Sequence, residues 1–167
     1  MVNKNIVLCG FMGSGKTVTG IALAQKLGKE FIDLDVFIEQ NQNMSVKDIF
    51  AKFGETHFRN LEREAAAALG KSENKVIACG GGTVLNPENV SALKVNGEIF
   101  YLSVEPQTVK IRLKNDTNRP LLTGDKENAI DTLLKNRRPI YESAADRIID
   151  SNGSIDYAVE QILKFVK

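Results

Sequence analysis

No apolar run in this 167-residue sequence approaches the length of a membrane-crossing helix, and no surplus of charge marks it, with 22 Lys and Arg against 21 Asp and Glu. The first absence removes a transmembrane anchor. The second removes the strongly basic field that nucleic-acid binding draws on. Neither a nucleic-acid nor a membrane partner is therefore expected. Cysteine occurs only at Cys9 and Cys79, each in a short apolar run. That excludes a disulfide framework and fits reduced thiols in a cytoplasmic protein. The single histidine, His57, has no partner set for a metal centre or a nucleophilic triad. It is expected on an exposed helix face. There is no Asn-Lys-x-Asp guanine motif, which counts against a GTPase, and no internal repeat, low-complexity tract or linker. Met1 to Asn5 carries no signal-peptide-like stretch. One domain spanning 1–167 is expected, and a monomer.

What is present alternates between two kinds of segment. Short apolar runs at Ile6–Cys9, Phe31–Asp33, Val76–Cys79, Ile99–Leu102 and Arg147–Ile149 read as five strands. Helical patterns lie between them: Lys16–Leu27, stopped by Gly28; Asp35 to Gln40; a short helix opened by Ser45 and Asp48 and running through Phe50; Glu55–Leu69 after Gly54; Glu88–Leu93; Glu105–Leu113; Ala129–Ala145; and about Ile155–Phe165. Pro139 is expected to interrupt or kink the seventh of these. Asn115 to Lys126 is polar and reads as a mobile loop. Strands alternating with helices indicate an α/β fold with a parallel sheet covered on both faces. Ligands of such sheets bind beyond the carboxyl ends of the strands.

Gly10-Phe11-Met12-Gly13-Ser14-Gly15-Lys16-Thr17 is an ungapped Walker A loop in its required setting, a strand before and a helix after. The glycines let successive N–H groups turn inward on phosphate oxygens, and the helix adds its N-terminal dipole. Lys16 reaches the outer phosphates and the Thr17 hydroxyl ligates magnesium. ATP and Mg2+ are thus the expected co-substrate and metal. Since the third strand ends in glycines, Asp33 is the obvious metal carboxylate. Read as extended chain, Asp33 and Asp35 point into one cleft. Asp35 then accepts the attacking hydroxyl's proton; the plainer alternative is that it caps the next helix. Gly80-Gly81-Gly82 permits unusual backbone conformations or close approach of a ligand, unless it is a tight turn alone. Arg59, Arg119 and Arg137 fall at cleft positions where a planar fork could grip carboxylate or phosphate. Any one of them taken alone reads as a solvated surface arginine.

Taken in order, the Walker A loop, Asp33-Leu34-Asp35, Phe58-Arg59-Asn60-Leu61-Glu62, Gly80-Gly81-Gly82, Arg119-Pro120-Leu121-Leu122 and Arg137-Arg138-Pro139-Ile140-Tyr141 resemble the shikimate kinase family. The likeness runs from the phosphate loop to the last strand. It implies a P-loop NTPase fold of the nucleoside monophosphate kinase type, with strand order 2-3-1-4-5. It also implies a substrate-binding helical segment at about 35–61 and a lid at about 113–126. Phosphoryl transfer from ATP to the 3-hydroxyl of shikimate is the implied activity. By position, Gly13, Ser14, Gly15, Lys16, Thr17 and Val18 would hold the nucleotide, with Arg112 on the adenine and Arg119 reaching from the lid. Thr17 and Asp33 would serve magnesium. Asp35, Arg59, Gly80, Gly81, Gly82 and Arg137 would bind shikimate, with Lys16, Asp35 and Arg119 catalytic. Arg137 is preferred to Arg138 because the family places its arginine two residues before the proline. The rival readings are a gluconate or nucleoside monophosphate kinase and, in another class, a nucleotide-switched binding protein.

Overall fold

The computed structural model describes residues 3–115 and 125–166. Its centre is a five-stranded, wholly parallel sheet in the order β2-β3-β1-β4-β5. The strands are β1 Asn5–Cys9, β2 Glu30–Asp33, β3 Lys75–Ala78, β4 Gly97–Ser103 and β5 Arg147–Asp150. The helices are α1 Lys16–Leu27, α2 Leu34–Gln42, α3 Val46–Phe53, α4 Glu55–Gly70, α5 Pro87–Leu93, α6 Pro106–Arg112, α7 Lys126–Ala144 and α8 Ile155–Leu163, with a 3-10 turn at Thr83–Leu85. The strand order and helical flanks agree with the sequence-based expectation.

Strand periodicity explains the layering. On β1, Ile6 and Leu8 face one way and join Leu23 of α1 and Val159 of α8. Val7 and Cys9 face the other way and join Leu34, Phe58, Ala66 and Tyr141 from α2, α4 and α7. β4 divides likewise, with Phe100 and Leu102 on the first face and Ile99 and Tyr101 on the second. Both faces of a central parallel strand must be covered, so its residues read as a continuous apolar run. Asn5 is the exception, buried at 1% exposure. Its amide donates to Leu69 O at 3.3 Å and Ser72 O at 2.8 Å, and its oxygen accepts from Lys75 N at 2.9 Å. One side chain thereby fixes the end of α4 and the start of β3 to β1.

Three local expectations are corrected. The helix expected from Ala129 begins at Lys126, because the Asp125 side chain caps it by accepting from Asn128 N. Pro139 lies inside α7 without ending it. Pro139 and Lys135, one turn back, are both exposed, so water can satisfy the freed carbonyl while buried Leu134 and Tyr141 anchor either side. His57 is half-buried rather than exposed, its ring 4.7 Å from that of Phe53. Both cysteines are free and buried, as expected, and Cys79 lies just past the end of β3.

The tightest helix crossing makes the first testable point. A Cβ added at Gly70 would meet the Ala92 carbonyl oxygen at 2.0 Å. Backbone cannot rotate away as a side chain would. Alanine's helix propensity, worth up to about 1 kcal/mol, opposes an overpacking cost of about 1–3 kcal/mol. Gly70→Ala should therefore lower the urea unfolding midpoint at unchanged slope. An unchanged midpoint would mean that α4 and α5 separate freely.

Candidate active site

The loop between β1 and α1 has the form needed for phosphate. Gly13 and Gly15 adopt φ of 77° and 88°, a region that penalises side chains. Gly15 is the N-cap of α1, and no side chain caps that helix end. Its first N–H groups and dipole are therefore directed at the loop's mouth. Lys16 Nζ folds over the loop, donating to Gly10 O at 2.8 Å and Phe11 O at 3.0 Å. Thr17 Oγ1 donates to Asp33 Oδ2 at 3.1 Å. A hydroxyl and a carboxylate side by side are hard oxygen donors and fit magnesium, which takes few protein ligands and keeps water and phosphate for the rest. No group of three or more His, Cys, Asp or Glu side chains that could hold a metal ion occurs among the described residues.

The two aspartates do not share an extended segment, and that expectation is corrected. The chain turns helical at Leu34, so Asp33 and Asp35 lie on different sides of the turn. Asp33 is the helix cap, Oδ1 accepting from Asp35 N at 3.0 Å and Val36 N at 3.2 Å. Asp35 is not the cap. It enters the first turn of α2 and directs its carboxylate at the glycine turn. Its Oδ1 is buried and has no hydrogen-bond partner among the described residues. Burial, reinforced by Asp33 and Glu62, pushes the Asp35 carboxyl up to about 6, against the pull of Lys16.

The glycine triplet is also corrected in its reason. None of Gly80, Gly81 and Gly82 has a positive φ. At Gly80 and Gly82 the constraint is space rather than backbone freedom, whereas Gly81 leaves room for ordinary contact. A Cβ at Gly80 would lie 2.8 Å from Asp35 Oδ1, one at Gly81 3.7 Å from Arg137 Nη1, and one at Gly82 2.7 Å from Arg59 Nη1. Three residues from α2, α4 and α7 thus converge on three successive bare positions. Arg138, by contrast, turns away and donates to Val104 O at 3.2 Å, with Glu105 at 3.6 Å.

Sequence reasoning assigned no role to several side chains that hold this arrangement. Glu62 is buried at 1% exposure. It accepts from Arg59 Nη1 at 3.0 Å and from Thr83 Oγ1 at 3.0 Å. A buried carboxylate is tolerable when paired and hydrogen-bonded on both oxygens, as here. The i,i+3 spacing from Arg59 was the available signal. Tyr141 Oη donates to Gly81 O at 2.6 Å from within the core.

A cavity of about 210 Å³ opens beside the phosphate loop between Ser14, Gly15, Val18 and Ile155. Arg112 forms its wall. Its guanidinium donates to Gly13 O at 2.9 Å, Ser151 O at 2.7 Å and Gly153 O at 3.3 Å, fastening the loop after β5 to the phosphate loop. Ser151 Oγ donates to Ser14 O at 2.6 Å and reinforces that closure. Arg119 lies outside the described residues, as do residues 116–124 of the expected lid. The other expected site residues lie on the phosphate loop and α1, at the β2–α2 junction, on α4, on the glycine turn, at the end of α6 and in α7.

Comparison with known proteins agrees with this geometry. The sequence model of the family described as shikimate kinase matches residues 12–167. A shikimate kinase of Pelotomaculum thermopropionicum is 47% identical, covering 98% of this chain and 96% of its own. One of Thermodesulfovibrio yellowstonii is 45% identical, covering 96% and 94%. A solved structure of shikimate kinase from Acinetobacter baumannii in complex with shikimate superposes with a TM-score of 0.90 at 36% identity, covering 98% of this chain and 92% of that one. With the phosphate loop, the paired aspartates and the guanidinium-lined glycine turn all in position, and relatives matched almost end to end, the chain belongs to the shikimate kinase family.

Proposed function

We propose that the protein transfers the γ-phosphate of ATP to the 3-hydroxyl of shikimate, yielding shikimate 3-phosphate on the route to aromatic amino acids. The observation that carries this reading is the convergence of Arg59, Arg137 and Asp35, with its buried Oδ1, on Gly80–Gly82. Two guanidiniums beside a bare turn suit a carboxylate, and one desolvated carboxyl suits a reacting hydroxyl. A small acid carrying several hydroxyls meets both demands.

In this reading the helical segment 35–61 binds the acceptor, and the lid at 113–126 closes over the nucleotide. Arg59 and Arg137 orient shikimate through its carboxylate. Asp35 accepts a hydrogen bond from the 3-hydroxyl, aligns it for in-line attack and takes its proton. Lys16 leaves the loop carbonyls for the outer phosphates, and Arg119 reaches them from the lid. Thr17 and Asp33 would hold magnesium, which would supply positive charge against the phosphate oxygens. Adenine occupies the cavity beside Val18, with Arg112 on its face. Lid closure excludes water and suppresses hydrolysis of ATP. No helix among the described residues is long and apolar enough to cross a membrane. A monomeric cytoplasmic enzyme is the accompanying proposal.

The direct test is mass spectrometry of purified protein with ATP and magnesium, offered shikimate, gluconate and AMP. One added phosphate on shikimate alone is expected. Product from gluconate or AMP instead would keep the kinase and replace its acceptor; ATP turnover with no acceptor would point to a nucleotide-switched binder.

Asp35 yields a paired prediction. As a base it must be ionised, so kcat/KM for shikimate should fall as pH drops through about 6. Its folded-state pKa lies above the ordinary 3.8, so the folded chain holds this proton more tightly than the unfolded one. The resulting stability cost is absent below pH 4, grows between 4 and 6, and is complete above 6. Asp35→Asn should therefore lower turnover about 10²- to 10⁴-fold with ATP affinity kept. It should also raise the unfolding midpoint at pH 7.5 but not at pH 4. Near-normal turnover in this variant would remove the proposed role.

The arginine doublet gives a third check on this reading. Arg137→Ala should raise KM for shikimate at least tenfold, given the strength of a charge-assisted pair (~1.5–3 kcal/mol), while Arg138→Ala should not. The reverse result would shift the carboxylate contact by one residue.

A further inference from the structure

Tyr141 is fully buried, and its ring stacks on Tyr101 at 5.2 Å and 24°. That packing accounts for the ring and leaves the hydroxyl to be explained. The hydroxyl emerges from the core at a single point, donating to Gly81 O at 2.6 Å. Gly81 is the middle residue of the turn on which Asp35, Arg137 and Arg59 converge. Arg137 lies four residues earlier in α7, on the same helix face. Its Nη1 lies at the same turn residue, 3.7 Å from where a Cβ on Gly81 would stand; burial raises the Tyr141 proton affinity and Arg137 partly offsets it. The phenol and the cation thus meet at one residue of the turn.

We infer that Tyr141 is a positioning residue, whose hydroxyl sets the Gly81 carbonyl and the Arg137 guanidinium in register for the carboxylate of the acceptor. This role rests on the acceptor assignment above. Tyr141 itself does not touch the reacting atoms. Its hydroxyl ties α7 to the turn after β3, so that the cation borne by one element and the bare backbone of the other keep a constant separation. Without it, Gly81 O loses its donor and Arg137 gains rotamer freedom that binding must then restrict. Phenylalanine at this position keeps the stack on Tyr101 and deletes only the hydroxyl.

The test is steady-state kinetics of the full chain, wild type and Tyr141→Phe, on shikimate and on its methyl ester, which lacks the carboxylate charge. Loss of one buried hydrogen bond should raise KM for shikimate about fivefold to tenfold. kcat should stay within about twofold and KM for ATP should not move, since the hydroxyl acts on ground-state binding of one substrate. Discrimination between acid and ester should shrink by the same factor. That ratio is independent of how much of the sample is folded, so a destabilised preparation still answers. In an Arg137→Ala background, Tyr141→Phe should add less than about twofold, because coupled residues are not additive. An unchanged acid-to-ester ratio in Tyr141→Phe, with wild type active on shikimate, would overturn this role alone. A wild-type chain inactive on shikimate would overturn it together with the acceptor assignment.

Discussion

The parallel register between β1 and β3 is the constraint on which the site depends. Leu8 pairs with Ala78, so the chain leaves both strands at the same level. One exit becomes the phosphate loop and the other the glycine turn. β2 adds Asp33 opposite Ala78 and delivers the paired aspartates to the same edge. The phosphate loop, the Thr17–Asp33 pair and the glycine turn are neighbours because three strands end together. In open α/β sheets this edge is where ligands bind. Sliding one strand by a single residue would reverse which side chains face each layer and move the loops apart.

Polar groups at this edge are held by buried partners rather than by solvent. Glu62 is unusual in this respect, an ionisable side chain inside α4 with both oxygens engaged. It draws Arg59 and the start of the 3-10 turn together, so Gly82 has an arginine against it. Asp35 stands in contrast. Its Oδ1 has no partner among the described residues, and burial, with Asp33 and Glu62 nearby, raises its proton affinity. One carboxylate is satisfied and structural; the other is unsatisfied and available. An orphaned buried acceptor beside a bare backbone turn is a local instability retained where a substrate hydroxyl would relieve it.

Much of this was legible in the residues. The Walker A loop is local, and its strand and helix neighbours are contiguous, so pattern alone placed it. The strands were readable because burial on both faces leaves apolar runs. The Asp33–Asp35 geometry was misread because a period of two was applied across a strand-to-helix junction. There the cap residue and the first turn obey different rules. Of the reasons expected for Gly80–Gly82, unusual torsion does not apply, and crowding by Asp35 and Arg59 acts at Gly80 and Gly82. No local signal reports a clash with a side chain from another helix. Tyr141 escaped for the same reason, its partner lying 60 positions away. Glu62 had a local signal in Arg59, but its second partner lies 21 positions away, and in one sequence a buried glutamate looks like a solvated one.

The strand order also bears on how the chain reaches this state. The central strand is the first in sequence, yet it touches neither β2 nor any other nearby segment within the sheet. Ile6 must wait for Val76 on one side and Glu98 on the other. Asn5, which fastens Leu69, Ser72 and Lys75, has the same long reach. On a growing or refolding chain, large loops must close before any pairing of β1 compensates their entropy. Local helices such as α1 can flicker into existence early. The phosphate loop cannot, because the strand that anchors it has no neighbours until two distant segments arrive. Nucleotide affinity should thus emerge late, as a property of the assembled sheet rather than of the eight-residue motif.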